Sequence, residues 1–163
     1  MDKPLKYALN PLDNIFLATH ESLRRRGYCG MNVMLIADVE GPLDPQAVGT
    51  ALRRLGRDYP ALSARIQYTP LLRRAYWRIA PDADLAEAVD YEVHEVEGIS
   101  NTDACLRAVS DDPLDPTRGP QVKLVHVRLS PDRHRLGLRW PHHLMDLEGA
   151  HRLLGELHAA LGD

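Results

Sequence analysis

Cysteine is scarce in this chain of 163 residues: Cys29 and Cys105 are the only two. Neither has a CxxC partner, so structural burial is the expected role of both. No apolar run approaches the length needed to cross a membrane, and the opening MDKPLKYALNPLD lacks the apolar core of a secretory leader. The expectation is therefore a cytoplasmic protein with free thiols and no membrane span. Excess positive charge is also missing. The formal net charge is −3, which argues against a general nucleic-acid surface. Arg24-Arg25-Arg26 and Arg73-Arg74 are local basic clusters and read first as solvated faces. There is no internal repeat and no low-complexity segment, which argues against a solenoid.

What is present suits one domain. The length is that of a single domain able to bury a core without disulfide or metal staples. Hydrophobic residues at 44% and charged residues at 26% are ordinary for a globular protein.

Asn10 or Asp13 caps a first helix after Pro11, with Leu12, Ile15, Phe16, Thr19 and Leu23 recurring at helical spacing. Gly27 and Gly30 bracket its end. Met31 to Gly41 is short and mostly apolar and reads as a buried strand. Asp44 and Pro45 open a second helix with Val48, Leu52 and Leu55 inward, and Pro60 ends it. LSARIQYT and AYWRIA are strands separated by a turn at Pro70–Arg74, and YEVHEVEG alternates like a half-exposed strand. A third helix is expected after Asn101 and Thr102, with Cys105, Leu106 and Val109 inward. The segment DDPLDPTRGP is a loop.

The last third is the most regular. QVKLVHVRLS and HRLGLRW form a hairpin turning at Ser130–Arg133. Leu136, Leu138 and Trp140 share one face of its second strand, and Arg135 and Arg139 share the other. From Leu147 the period becomes helical through Ala150, Leu153, Leu154, Leu157 and Leu161. Helix, strand, helix, several strands, helix, hairpin, helix is the order of an α/β or α+β layered sandwich, a mixed sheet covered by helices.

The chemistry concentrates where the hairpin gives way to the last helix, in RWPHHLMDLEGAHRLLGEL, residues 139–157. Strand ends on a rigid scaffold are common positions for reactive groups. An imidazole there can take a proton from a hydroxyl or an amine. Asp146, four residues after His142, either orients the ring or points away and holds the loop. Gly149 permits close backbone approach at the start of the helix. Six histidines fall late in the chain: His126, His134, His142, His143, His151 and His158. Zinc accepts nitrogen and oxygen ligands, but these spacings are irregular and no cysteine joins them, so no metal ligand is assigned.

Four stretches together resemble one known family. They are NPLDNIFLATHE, GPLDPQAVGTALRRLGRDYPALSARI, DPLDPTRGPQVKLVHVRL and LRWPHHLMDLEGAHRLLGEL. In this order they are similar to the N-terminal half of the condensation-domain superfamily, the acyltransferases of the chloramphenicol-acetyltransferase-like fold. The last stretch resembles the family's HHxxxDG loop and the helix after it. Its essential second histidine lies four positions before the aspartate, which is His142 against Asp146. Pro141 then holds the first-histidine position, and His143 is an additional residue inside the loop. Leu147 follows Asp146 where the family has glycine, and Gly149 comes two residues later.

The resemblance implies His142 as general base or positioner for a nucleophilic hydroxyl or amine. The acyl donor would be the thioester of coenzyme A or of a pantetheinylated carrier protein, with no tightly bound cofactor. It implies that Asp146 holds the loop through an ion pair, for which Arg65 is the nominee. His143 and Gly149 are secondary site candidates. It further implies that residues 1–163 form a single lobe whose second lobe is absent from this chain. The partner would be that lobe, another copy of the chain, or an acyl carrier protein. Two rival readings stand beside it: an inactive module that binds a carrier protein or an acyl ligand, and a metal-binding protein.

Overall fold

The computed structural model describes residues 5–79, 85 and 87–162. Its elements are β1 (Leu5–Ala8), α1 (Pro11–Arg25), β2 (Asn32–Glu40), α2 (Pro45–Asp58), a 3-10 turn at Pro60–Ser63, β3 (Arg65–Tyr68), β4 (Ala75–Ile79), β5 (Val89–Glu95), α3 (Ile99–Asp111), β6 (Val122–Ser130), β7 (Arg133–Pro141) and α4 (Leu147–Gly162). Two sheets result. One has the order β2-β7-β6-β5 and the other the order β1-β4-β3. The larger sheet is mixed: β2, β7 and β6 run antiparallel, whereas β5 lies parallel to β6 and is joined to it through α3. The expected helix-covered mixed sheet is the architecture found.

Alternation along the β6–β7 hairpin builds the core. Leu136, Leu138 and Trp140 of β7 lie with Val122 and Leu124 of β6 on one face, and α2 and α4 cover it with Val48, Leu52, Leu55, Ala150, Leu153 and Leu157. Each of these large side chains removed from water contributes roughly 1.5–3 kcal/mol. The opposite face carries Val125 and Val127 and meets Leu106 of α3. Arg135 and Arg139 share that face with different fates. Arg135 joins Asp38 of β2 at 2.7 Å and Asp103 of α3 at 2.8 Å. Arg139 is buried; its guanidinium donates to the Asp112 carbonyl and pairs with the Asp112 carboxylate at 3.8 Å.

Caps follow the sequence closely at α1 and α2. Asn10 and Asp13 form a reciprocal capping box, and Asp44 accepts from the backbone of Gln46 and Ala47. Several expectations need correction. The strand β2, read as buried, lies at the edge of its sheet with no fully buried residue, and Leu147 at the start of the α4 stripe is exposed. The inner face of α1 is rotated: Leu12, Ile15 and Thr19 are exposed, while Leu17 and His20 are buried with Phe16 beside them. A histidine whose two ring nitrogens are both hydrogen-bonded to backbone can be buried, so apolarity alone misassigns the face. Next, α3 begins at Ile99 after Gly98. The Thr102 hydroxyl donates to the Gly98 carbonyl at 3.1 Å from inside the helix instead of capping it. Finally, Leu5–Ala8 forms a strand, paired with β4, that its sequence did not announce. The end of the expected AYWRIA strand, Ala80, lies outside the described residues.

Cys29 and Cys105 are free and half-buried. Burial, followed by the charge of Glu92, pushes the Cys105 thiol up. No described helix is long and apolar enough to cross a membrane.

The larger sheet also holds a buried polar chain. The His134 Nε2 lies 3.2 Å from the Pro131 carbonyl, the His126 Nε2 lies 3.0 Å from the His134 Nδ1, and the Tyr91 hydroxyl lies 2.9 Å from the His126 Nδ1. With both rings neutral only one direction satisfies every contact. His134 donates to the carbonyl, His126 donates to His134, and Tyr91 donates to His126. Burial, then the charges of His134 and Arg128, brings His126 down to about 4. Burial and the facing Asp44 raise Tyr91 to about 12.

Candidate active site

The two histidines occupy the centre of a turn. The Leu144 amide donates to the Pro141 carbonyl at 2.9 Å, which places His142 and His143 at the two middle positions of a β-turn that ends β7. The His142 amide donates to the Met31 carbonyl at 2.9 Å and extends the β2–β7 pairing by one step. The turn is therefore pinned to the sheet, and its side chains diverge.

His142 stacks on Phe16 of α1, with ring centroids 4.5 Å apart and 21° between planes. Its Nδ1 is buried without a partner. Its Nε2 is not among the buried atoms and carries no hydrogen bond among the described residues. The ring is thus held by its face, with the Nδ1 edge buried and the residue half-buried overall.

His143 points the other way and is 3% exposed. It stacks on Trp77 at 5.6 Å and meets His20 edge-to-face at 5.3 Å. Burial, followed by the charges of His20 and His142, lowers it to about 3. Both its ring nitrogens are buried and without a partner among the described residues. Enclosed in this way, His143 stays neutral near neutral pH and serves as packing. The two rings differ in burial: His142 is half-buried and His143 is interior.

His20 supports this arrangement. Its Nδ1 accepts from the Met31 amide at 3.1 Å, and its Nε2 donates to the Leu114 carbonyl at 3.2 Å. Both nitrogens are used in the neutral form, and burial lowers its basicity. The ring lies so close to Gly30 that a Cβ there would sit 2.5 Å from the His20 Cε1. Gly30 also has φ of +96°, so two requirements meet at one position. Trp77 donates to the Asp13 carboxylate at 3.3 Å, which ties β4 to the first turn of α1. Phe16, His20, Met31 and Trp77 were not anticipated as parts of the site. The available signal was the set Asp13, Phe16, Leu17 and His20 at helical spacing, a mixed polar and aromatic stripe.

Asp146 lies at the start of α4. Its Oδ1 accepts from the Gly149 amide at 2.8 Å, the geometry of an N-cap. Gly149 is needed there: a Cβ would come within 2.7 Å of the Met145 Cγ and 3.3 Å of that same carboxylate oxygen. The Asp146–Arg65 ion pair implied by the resemblance is not formed, and among the described residues no ion pair or hydrogen bond joins Asp146 to Arg65 or to His142. The Asp146 Oδ1 caps the helix instead. Arg65 instead lies on β3 opposite Arg78, with its Nε buried and unpartnered. Asp146 thus holds the loop through a cap. The Trp140 indole adds a second tie, donating to the Met145 carbonyl at 2.6 Å.

On the α4 side of the loop is an apolar pocket of about 230 Å³ lined by Tyr59, Leu62, Leu144, Met145, Gly149 and Arg152, among others. His126 and His134 belong to the sheet interior, and His151 and His158 are exposed on α4. Among the described residues no three histidine, cysteine or carboxylate side chains converge as metal ligands would.

Comparison with known proteins gives a fold. No family model matches the chain, and no curated protein matches it. Solved structures do. A variant of the starter condensation domain of rhizomide synthetase RzmA in complex with C8-CoA superposes with a TM-score of 0.81 at 18% identity, over 95% of this chain and 35% of that one. The first condensation domain of the calcium-dependent antibiotic synthetase, in complex with a substrate analogue, gives 0.79 at 16% identity over 94% and 36%. The tallysomycin biosynthesis protein TlmII gives 0.80 at 20% identity over 97% and 38%. The chain has the fold of a condensation-domain lobe and spans little more than a third of the chains it matches.

Proposed function

We propose that this lobe carries the reactive histidine of a condensation-like acyltransferase, which moves an acyl group from a coenzyme A or carrier-protein thioester to a hydroxyl or an amine. The observation that carries the reading is the His142 ring. It lies at a strand-to-helix junction, clamped against Phe16 and leaving its Nε2 open. The fold likeness and the C8-CoA complex of the RzmA domain support the same reading.

In this mechanism the acceptor's O–H or N–H donates to the His142 Nε2. As its proton passes to the ring, the oxygen or nitrogen attacks the thioester carbonyl. The tetrahedral intermediate collapses with cleavage of the C–S bond, and the imidazolium returns the proton to the departing thiolate. No acyl-enzyme is needed, because the thioester arrives activated. His143, His20 and Trp77 form the packed wall that keeps the turn rigid, and the Asp146 cap fixes the start of α4. The other wall of the cleft comes from a second lobe or a second copy of the chain.

The test is release of free thiol from an acyl-CoA by the full chain in the presence of amine or alcohol acceptors, alone and with candidate second lobes. His142→Ala should remove most turnover while the far-ultraviolet spectrum is retained. Equal rates in the two proteins exclude His142 from the reaction. A second reading is favoured by the capped Asp146 and the displaced Gly149: a lobe that grips a carrier protein or an acyl ligand without catalysis. It predicts ligand binding with no thiol release under any pairing.

A further inference from the structure

The turn between β3 and β4 displays its apolar side chains to water. Leu71 is 95% exposed and Leu72 72% exposed, the highest values among the large hydrophobic residues described. A single leucine on a surface is ordinary, but two adjacent ones projecting from one tip point to a partner. The tip is ordered by its own backbone. The Thr69 amide donates to the Arg74 carbonyl at 3.0 Å, the Arg73 amide donates to the Thr69 carbonyl at 3.1 Å, and the Arg74 amide donates to the Thr69 hydroxyl at 3.0 Å. Arg73 has φ of +46°, the one non-glycine residue with positive φ among those described. That conformation is uncommon for a residue with a side chain. The loop is thus closed and rigid, with Leu71 and Leu72 at its apex and two arginines directly behind them.

Basic residues surround this tip. Arg73 and Arg74 line a groove of about 410 Å³, and Arg24 and Arg25 of α1 line an adjoining one of about 430 Å³ that shares Glu21 and Tyr68 with it. Tyr68 fixes the two clusters relative to each other. Its hydroxyl donates to Glu21 of α1, and the centre of its ring lies 5.8 Å from the Arg73 guanidinium. The carboxylates on this surface are engaged. Glu21 also lies 3.8 Å from Arg25, and Asp115 accepts from the Thr117 amide and hydroxyl and lies 3.8 Å from Arg118. Four guanidinium groups beside two carboxylates leave local positive charge in a chain whose net charge is −3.

We propose that the β3–β4 tip docks the protein on an anionic bilayer, with Leu71 and Leu72 entering the membrane interface and Arg24, Arg25, Arg73 and Arg74 meeting the lipid headgroups. A bilayer has the matching layering, an anionic zone above an apolar interior. A protein partner would instead have to offer a pocket shaped to two leucines on a projecting tip and rimmed by acid. Charge alone is screened by salt, and two leucines alone bury little area; attachment of this kind draws on both. It requires no spanning segment, and no described helix is one. The proposal goes beyond the acyl-transfer reading and does not depend on it.

The experiment is co-sedimentation of the full chain with vesicles of phosphatidylcholine, either alone or with about 30% phosphatidylserine. Binding should be at least about tenfold tighter with phosphatidylserine and should fall as salt is added. Leu71→Ser/Leu72→Ser should weaken it at least about tenfold, and Arg73→Gln/Arg74→Gln should remove the preference for phosphatidylserine. Ile36→Ser, an exposed apolar position on β2 in the other sheet, should leave binding within about twofold. Circular dichroism checks that each variant is folded. Leu72→Trp gives a second measurement: its emission should shift to the blue on phosphatidylserine vesicles by more than that of the wild type. Absence of binding, equal binding to the two vesicles, equal binding by the leucine variant, an equal loss in folded Ile36→Ser, or no added shift in Leu72→Trp overturns the proposal. Binding that needs the arginines and ignores the leucines assigns an acidic protein surface as the partner and also overturns it. Acyl transfer without vesicle binding overturns the docking tip alone, and vesicle binding without acyl transfer overturns the catalytic reading alone.

Discussion

The His126 ring donates to the His134 ring at 3.0 Å within the larger sheet, which requires His134 to be neutral. Protonating the His134 Nδ1 places two donors face to face, and protonating His126 puts a charge in the buried interior. His126 is held at about 4 and His143 at about 3, against 6.5 for an unfolded histidine. Below 6.5 the unfolded chain binds protons that the folded chain refuses, so stability falls as the pH drops from 6.5 towards 4. The slope reaches up to about 1.4 kcal/mol per pH unit for each such histidine. Urea unfolding at a series of pH values from 7 to 4.5 measures it, and a flat profile down to pH 5 contradicts it. His126→Leu should be less stable at pH 7 and show a shallower slope.

Substitutions at the two adjacent histidines should affect different properties. His142→Ala removes an accessible ring and is expected to change turnover far more than melting temperature. His143→Ala empties an interior site. A cavity left by an aromatic ring costs about 3–5 kcal/mol, and relief of unpartnered ring nitrogens offsets about 1–3 kcal/mol of that. A net loss of about 2 kcal/mol follows, read from denaturant unfolding, with residual turnover in the folded fraction.

A double-mutant cycle tests how Asp146 is used. Asp146→Ala should cost about 1 kcal/mol through the lost cap, and Asp146→Asn much less, since the amide oxygen still accepts from the Gly149 amide. Combined with Arg65→Ala, the coupling energy should lie within about 0.5 kcal/mol of zero, as for sites that share no contact. Strong coupling would instead reveal the ion pair that the family resemblance implies.

Much of this layout was legible in the sequence, and the misses have physical causes. The β6–β7 hairpin, the α2 stripe and the caps at Asn10 and Asp44 all rest on local rules, alternation, helical spacing and short-range hydrogen bonds, and each formed where expected. The inner face of α1 did not, because His20 is made apolar in effect by the Met31 amide and the Leu114 carbonyl, partners 11 and 94 residues away. Motif register nominated His142 over His143, while the enclosure of His143 by Trp77 and His20 depends on a sheet assembled from distant segments and could not be read locally. Asp146 shows the opposite case: it meets a local demand, the Gly149 amide, and the long-range Arg65 partner implied by the resemblance is not engaged.

Gly30→Ala is a sensitive probe of the wall behind the site. The added methyl would meet the His20 ring at 2.5 Å, in a backbone conformation that alanine disfavours. The loss should exceed about 1 kcal/mol, and it should be accompanied by altered ring-proton shifts of both His20 and His143 in NMR spectra. A change confined to residues 27–31 would show that the two rings are not mechanically linked.

The position of β2 in the larger sheet has a consequence for biosynthesis. Its partner β7 is made about a hundred residues later, and Arg135 of β7 meets Asp38 of β2 across a separation of 97. On the ribosome, β2 and the carbonyl of Met31 wait unpaired until nearly all of the described chain has emerged. The turn that presents His142 can therefore be secured only after β7 has emerged and the hairpin that carries it has closed.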